Sequence, residues 1–369
     1  MKVQAVVARD AEGPFTLEEL ELDAPQADEI LVKIAGVGLC HTDLVLKSAG
    51  PEVYPFPAVF GHEGSGIVEA VGGQVTKVAP GDRVAITFRS CGDCDRCSAG
   101  DAPYCRTFPL LNFTGRRADQ TMAYRSGDEP VAGNFFGQSS FGSHALTYER
   151  NVVKVPDDLP LELVGPLGCG IQTGFGGVVR SLKAKPQSSI LILGGGAVGL
   201  SAVMGAKVQQ CSTIIVLEPH AGRRALAQEL GATHVIDPAA GRALAESVRE
   251  IAPMGVDYAL DTTGIPEVLK STMGALGSKA VFGIIGVAPP GTPVPGEISD
   301  LITFGYTIQG IIEGDSDPDT FIPEMMEHYR AGRMPFDKMI KTYPLSEINQ
   351  AIADQAAGEC VKVVLLPQV

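Results

Sequence analysis

The chain has no apolar run of the ~18 to 20 residues that a membrane-spanning helix needs; its most apolar strand pattern, Ile190 to Leu193, is cut at once by Gly194 to Gly196. Positive charge is also scarce. Lysine and arginine number 29 against 43 acidic residues, a net charge of −14, so a phosphate backbone or an anionic bilayer would be repelled over most of the surface. Neither nucleic acid nor a membrane is expected as a partner. The opening residues reach Asp10 and Glu12 before an apolar core or a small-residue cleavage site develops, so no signal peptide is expected and the cytoplasm is the predicted location. In that reducing compartment the eight cysteines, at positions 40, 91, 94, 97, 105, 169, 211 and 360, point to metal before disulfides.

What is present is ordinary globular material: 45% hydrophobic and 20% charged residues over 369 positions argue against disorder and predict two to three domains. Two textures divide the chain. From Val3 to about Pro156, short β-branched runs such as Ile30 to Ile34, Ser65 to Val71 and Arg83 to Thr87 are punctuated by turns, predicting a small irregular β domain. Within it the polar, Gly-rich stretch from Asp101 to Ser143 reads as an excursion over the surface.

From Ser188 apolar strands alternate with amphipathic helices, the pattern of a parallel sheet covered on both faces. Six strands are predicted, at Ser189 to Leu193, Thr213 to Leu217, His234 to Ile236, Val256 to Leu260, Lys279 to Ile285 and Tyr306 to Ile312. Helices are predicted at Val198 to Gln209, Gly222 to Leu230, Arg242 to Ile251 and Glu267 to Leu276. This is the α/β class, a doubly wound Rossmann sheet of six parallel strands. After Gly314 the rhythm stops, with a helix near Phe321 to Ala331 and a strand at Cys360 to Leu366 that return to the first domain. The predicted division is residues 1–170 with 313–369, and 171–312.

Directly after the first of these strands, Gly194-Gly195-Gly196-Ala197-Val198-Gly199 satisfies G-x-G-x-x-G between a strand and a helix. The glycines allow a tight turn and let backbone N–H groups approach a pyrophosphate, which the helix N-terminus stabilises. The second strand ends in Glu218, 19 residues after Gly199, where a carboxylate accepts hydrogen bonds from ribose hydroxyls and repels a 2′-phosphate. NAD is therefore expected over NADP, although Arg223 and Arg224 lie near enough to serve a phosphate. The plain alternative is a Gly-rich turn with Glu218 as a surface acid.

Cys91, Cys94, Cys97 and Cys105 place four thiols within fifteen residues, which suits a closed, structural zinc site. A zinc-binding nucleic-acid finger would need a basic helix that the flanks lack, and free surface thiols remain the plain alternative. Other zinc-type ligands are dispersed: Cys40, His62 and Cys169, each in a Gly-flanked context. Taken singly, Cys169 reads sooner as a small buried hydrophobe and His62 sooner as a hydrogen-bonded core histidine, and only the shared Gly-flanked context lifts them.

Gly61-His62-Glu63-Gly64-Ser65-Gly66-x5-Gly72-x2-Val75 resembles the signature of the zinc-dependent, medium-chain alcohol dehydrogenases. The likeness extends through the four-cysteine lobe, Cys169-Gly170-x2-Thr173-Gly174, the Gly-rich fingerprint and the Gly286-Val287 turn, nearly the whole chain. Within the family the sequence is most similar to bacterial aryl-alcohol (benzyl alcohol) dehydrogenases, notably at Cys40-His41-Thr42-Asp43 and at Gly137 to Val155.

The resemblance implies that the first domain is a mostly β, GroES-like catalytic domain. It implies two zinc ions per chain, the catalytic one held by Cys40, His62 and Cys169, with Asp43 orienting His62 and Glu63 behind the metal. Thr42 would take the alcohol's proton toward the nicotinamide ribose, Thr173 and the backbone at Val287 would locate the nicotinamide ring, and Phe88 would wall the substrate pocket. Thr42 also suits a plain N-capping role. Val45 stands where many relatives carry a histidine that ends the proton relay, while His41 and Lys362 stand at positions expected near the pyrophosphate. The implied activity is reversible, NAD-linked oxidation of primary aryl alcohols by a homo-oligomer, a dimer or tetramer. Alternatives are an allylic terpene-alcohol or S-(hydroxymethyl)glutathione dehydrogenase, or a non-catalytic zinc-containing nucleotide-binding protein.

Overall fold

A computed structural model describes residues 1–367. The chain forms two units, one of Met1–Cys169 with Asp317–Met325 and the segment from Asp337 onward, the other of Gly170–Ser316 with Met326–Phe336. The tail, read from sequence as one block from 313, is thus divided between them. No helix among the described residues is long and apolar enough to cross a membrane.

The first unit is built on two sheets. In the larger, strands run in the order Val152–Lys154, Arg83–Ile86, Gly64–Val71, Glu29–Leu39, Lys362–Leu366 and Ile340–Pro344, with His144–Tyr148 also paired to Glu29–Leu39. Glu29–Leu39 is the spine because its run of Ile, Leu and Val side chains is buried along nearly its whole length. Its register decides what meets at its end. Val37 pairs with Gly64 and Leu39 with Val363, both antiparallel, so Cys40 just beyond the strand, His62 just before Gly64 and Lys362 just before Val363 converge. The C-terminal strand therefore joins the first unit.

The stretch from Asp101 to Ser143 is not the surface excursion predicted. Phe135 and Phe141 are wholly buried, and Asn112, Gln138, Ser139 and Ser140 are buried with them. The short strands Tyr124–Ser126 and Glu129–Val131 pair into the smaller sheet, and side chains tie down much of the rest: Asn112 bonds the Phe108 carbonyl and both backbone groups of Arg89, while Ser139 Oγ donates to the Val59 carbonyl.

In the second unit six parallel strands lie in the order His234–Ile236, Thr213–Leu217, Ser189–Leu193, Val256–Asp261, Leu276–Ile284 and Thr307–Gly310, a doubly wound sheet. Leu191, Leu193, Ile215, Ala259 and Phe282 fill one core against the covering helices. The first three strands fall where their apolar pattern predicts. Leu276, read as the end of a helix, instead opens a strand, because the helix Pro266–Thr272 tightens into a turn at Met273–Ala275. The helix Ile298–Phe304 was not predicted; its Ile298 and Ile302 are exposed, so no buried face marks it in the sequence.

Candidate metal and nucleotide sites

At the end of the spine strand Cys40 caps the helix His41–Ser48, and the third helical residue, Asp43, reaches back so that its Oδ2 accepts the Cys40 backbone N–H at 2.9 Å. Its other oxygen accepts the backbone N–H of Gly61 at 3.0 Å and lies 2.9 Å from His62 Nδ1. A capping acid thus also fixes the imidazole. With Nδ1–H donated to Asp43, the lone pair of Nε2 is turned the other way, and that atom is buried without a hydrogen-bond partner. Cys169 follows the turn Gly165–Gly168, whose Gly168 carbonyl is pinned by Thr87 Oγ1 at 2.6 Å.

One donor atom each of Cys40, His62, Glu63 and Cys169 lies within 4.8 Å of the others. An orphaned imidazole nitrogen facing two thiols fits a divalent, thiophilic cation such as zinc. The Cys40 thiol is held well below the usual thiol range, chiefly by its hydrogen bond with Cys169, against burial and with the help of His62 and Lys362. Burial pushes the Glu63 carboxyl up, opposed by Lys362.

Lys362, expected at the pyrophosphate, is 2% exposed and forms an ion pair with Glu63 while donating to the Leu39 carbonyl at 3.0 Å. Strand register puts it opposite Cys40, and a desolvated ammonium takes the nearest carboxylate. It belongs to the cysteine–histidine cluster. Thr42 is not an N-cap, since that position is held by Cys40; its Oγ1 lies 3.6 Å from the Cys40 sulfur. His41 is exposed on the first turn, and Val45 is half-buried on the same helix.

Sequence reasoning missed three neighbours of the cluster. Phe136, buried and in the left-handed region at φ 51°, stacks its ring on His62 with centroids 4.3 Å apart and planes at 20°. Phe135 meets the same imidazole edge-on at 5.4 Å. Gln138 Nε2 donates to the His62 carbonyl at 2.8 Å, and its Oε1 accepts the Gly64 N–H. Only a residue-level strain marks Phe136, and no pattern shows that in sequence. Phe88, expected as a pocket wall, is buried against Phe108, with ring centroids 5.7 Å apart.

The Sγ atoms of Cys91, Cys94, Cys97 and Cys105 also lie within 4.8 Å of one another. Cys91 and Cys97 are 3.8 Å apart, the separation of about 3.8 Å that two thiolates have around one tetrahedral zinc. The Cys91 N–H donates to the Cys105 sulfur at 3.3 Å. Backbone N–H groups of Arg106 and Cys97 push Cys94 down to about 6, while burial and Asp93 push Cys91 up to about 12. All four donors come from one lobe, so no position is left open.

In the second unit the fingerprint turn shows why it needs glycine. Gly194 has φ +97°, and a Cβ on Gly199 would fall 1.9 Å from the Gly194 carbonyl oxygen. The helix Ala197–Val208 starts at Gly196 with no side-chain cap, and nothing lies within 4 Å of a Cβ built there, which leaves the N-terminus free to take a phosphate. Glu218, 3% exposed, accepts the N–H of Gly195 at 2.6 Å and of His220 at 2.8 Å. Arg224 is committed to the carbonyls of Glu218 and Pro219 and to Asp237. Arg223 is half-buried beside it on the helix Ala221–Leu230. Thr173 is buried on the helix Gly170–Gly176, and Val287 lies exposed on the loop after the fifth strand.

The family model of the alcohol dehydrogenase GroES-like domain matches residues 26–157, and that of the zinc-binding dehydrogenases matches 197–329. Geraniol dehydrogenase of Castellaniella defragrans is 46% identical over 99% of this chain and 98% of its own length. The crystal structure of benzyl alcohol dehydrogenase from Acinetobacter calcoaceticus superposes with a TM-score of 0.95 at 42% identity, covering 99% of each chain. S-(hydroxymethyl)glutathione dehydrogenase of Saccharomyces cerevisiae is 31% identical over 99% of this chain and 96% of its own. The family's cofactors, zinc and NAD(P), match the thiol and imidazole clusters and the Gly-rich turn found here. With a family model on each half and relatives aligned from end to end, the chain belongs to the zinc-dependent, medium-chain alcohol dehydrogenases.

Proposed function

We propose that the enzyme oxidises primary aryl alcohols reversibly to aldehydes with NAD. The observation that carries the substrate class is the aromatic packing beside the donor cluster: Phe136 and Phe135 on His62, with Phe113 and Phe108 against Phe136 at 5.2 and 6.1 Å. Similarity to a benzyl alcohol dehydrogenase supports this reading. Similarity to a geraniol dehydrogenase favours a second one, an allylic terpene alcohol. In both alcohols the carbinol carbon adjoins a π system, so the aldehyde is conjugated and hydride loss is eased.

The alcohol gives a hydride from carbon and a proton from oxygen, yielding aldehyde, NADH and a proton. Zinc held by Cys40, His62 and Cys169 would supply the Lewis acidity that makes the hydroxyl proton easy to remove near neutral pH. NAD would supply the hydride acceptor. Asp43 holds His62 in one tautomer and one orientation, and Lys362 neutralises Glu63 behind the cluster. Thr42 accepts the alcohol's proton as it donates its own onward, and with Val45 unable to carry it the proton passes toward water. Glu218 selects NAD, since a 2′-phosphate would meet its carboxylate while Arg224 is engaged elsewhere.

The test compares kcat/KM for benzyl alcohol, geraniol, ethanol and S-(hydroxymethyl)glutathione, with NAD and with NADP. Burial of a phenyl ring contributes roughly 2 kcal/mol, so benzyl alcohol should exceed ethanol by about 30-fold or more, with NAD preferred. A better rate with ethanol or the glutathione adduct would remove the aryl assignment, and a preference for NADP would remove Glu218 from the ribose.

We also propose a homo-oligomer built through the second unit. Its sheet ends at Thr307–Gly310, whose outer edge pairs with no strand among the described residues. The nearby helix exposes Ile298 and Ile302 by 76% and 77%. A second copy pairing edge to edge would extend the sheet and cover these side chains. Ile298→Asp with Ile302→Asp should lower the sedimentation mass from that of an oligomer to that of one chain; an unchanged mass would place the interface elsewhere.

A further inference from the structure

Asp43 sets two of the three zinc ligands relative to each other, since it bonds both the Cys40 backbone N–H and the His62 imidazole. Cys169 has no share in that clamp. It lies on no strand and arrives from far along the chain, yet the hold of a site on its metal depends on how well every donor is kept in place.

A series of buried hydrogen bonds supplies the missing tie. Gln138 follows the left-handed residues Phe136 and Gly137, at φ 51° and 67°, and is buried. Its Nε2 donates to the His62 carbonyl at 2.8 Å and to the Thr87 carbonyl at 3.2 Å, while its Oε1 accepts the Gly64 N–H at 3.1 Å. Thr87, wholly buried just past the strand Arg83–Ile86, donates through Oγ1 to the Gly168 carbonyl at 2.6 Å, one residue before Cys169. The turn there is pressed home: a Cβ on Gly165 would fall 2.1 Å from the Glu63 carbonyl oxygen, and one on Gly168 would fall 2.1 Å from that of Ile86. A second amide braces the same joint. Asn151 Nδ2 donates to the carbonyls of Thr87 and Phe136, both at 2.9 Å, and Phe136 is the ring stacked on His62. The main chain of His62, the ring on its imidazole and the turn that carries Cys169 therefore all meet at Thr87.

We propose that Gln138 and Thr87 are positioning residues that lock His62 and Cys169 in mutual register and so set how long zinc is retained between them. The inference rests on zinc held by Cys40, His62 and Cys169, as proposed above. Both side chains donate to main-chain carbonyls of the segments that bear the ligands, so they act through backbone position. An ion departs one ligand at a time. While the segments are tied, a detached donor stays at high effective concentration and rebinds; once the tie is cut, it moves away. Because the links run in series from His62 through Gln138 and Thr87 to Gly168, cutting either should have the same effect, and cutting both should add little.

The experiment follows zinc released from the holoenzyme to a chromogenic pyridylazo chelator, with Cys169→Ser marking which phase belongs to this cluster and melting temperature as the check on folding. Gln138→Met keeps the length of the side chain without its amide; it should speed that phase by about ten- to a hundredfold and leave release from the four-cysteine lobe within about twofold. Thr87→Val should do the same, Thr87→Ser should restore the wild-type rate, and the double variant Gln138→Met with Thr87→Val should match the faster single one. Equal acceleration of both phases would show a general loosening of the fold. That result, an unchanged rate in folded Gln138→Met, or a double variant whose acceleration is the product of the two, overturns the proposal. If Gln138→Met does not fold, the Thr87 pair decides: fast release from Thr87→Val with slow release from Thr87→Ser supports the tie, and equal rates overturn it. Failure of both Gln138→Met and Thr87→Val to fold shows a purely structural role and also overturns it. A wild type with no phase that Cys169→Ser abolishes refutes the zinc assignment of the cluster itself, and the proposal with it.

Discussion

Cys169→Ser should remove turnover with benzyl alcohol while leaving the melting temperature nearly unchanged. The substitution keeps the shape of a buried residue at the end of the turn Gly165–Gly168, which Thr87 holds through the Gly168 carbonyl. What it removes is one of the soft donors facing the orphaned Nε2 of His62. Lewis-acid stabilisation is worth several kcal/mol, so kcat/KM should fall by roughly three powers of ten. Cys94→Ser should behave in the opposite way. The lobe from Cys91 to Cys105 buries little besides Ala102, Pro103 and Cys105, so its conformation depends on the ion that the four thiols enclose. Loss of one ligand there should lower the melting temperature by roughly 5 °C or more. If both substitutions act alike, by unfolding or by silencing, the two clusters do not have separate roles.

Thr42→Val carries the second large effect. Valine matches threonine in shape, and because Cys40 and Asp43 cap the helix His41–Ser48, the lost hydroxyl is not a cap. Stability should therefore be retained. The hydroxyl stands 3.6 Å from the Cys40 sulfur, where a proton acceptor is needed if the alcohol oxygen is to be deprotonated as hydride leaves carbon. Removing it should cost about two or more powers of ten in kcat/KM, the usual worth of a general acid–base group. Near-normal turnover of Thr42→Val would end this proton path.

The Rossmann half was legible because its signals are local. Ser189–Leu193 and Thr213–Leu217 begin and end where their apolar runs do, and the Gly194 to Gly199 turn names its own backbone requirement. The four-cysteine lobe was equally local. The open cluster was not: Cys40, His62 and Cys169 meet through strand register and a distant turn, and spacing alone left His62 and Cys169 with a bland reading. The ion pair of Lys362 with Glu63 was hidden for the same reason, since its position opposite Cys40 follows from the pairing of Val363 with Leu39. Between Asp101 and Ser143 the helices and strands are three to five residues long, and side-chain hydrogen bonds and left-handed residues such as Asn134, Phe136 and Ser139 shape the rest, so a buried aromatic core read as a surface loop.

The two-site account is tested most directly by the zinc content of freshly prepared, active enzyme. Two zinc ions per chain are predicted, falling to one in Cys169→Ser with the fold intact. One zinc per chain in fully active wild type would contradict it.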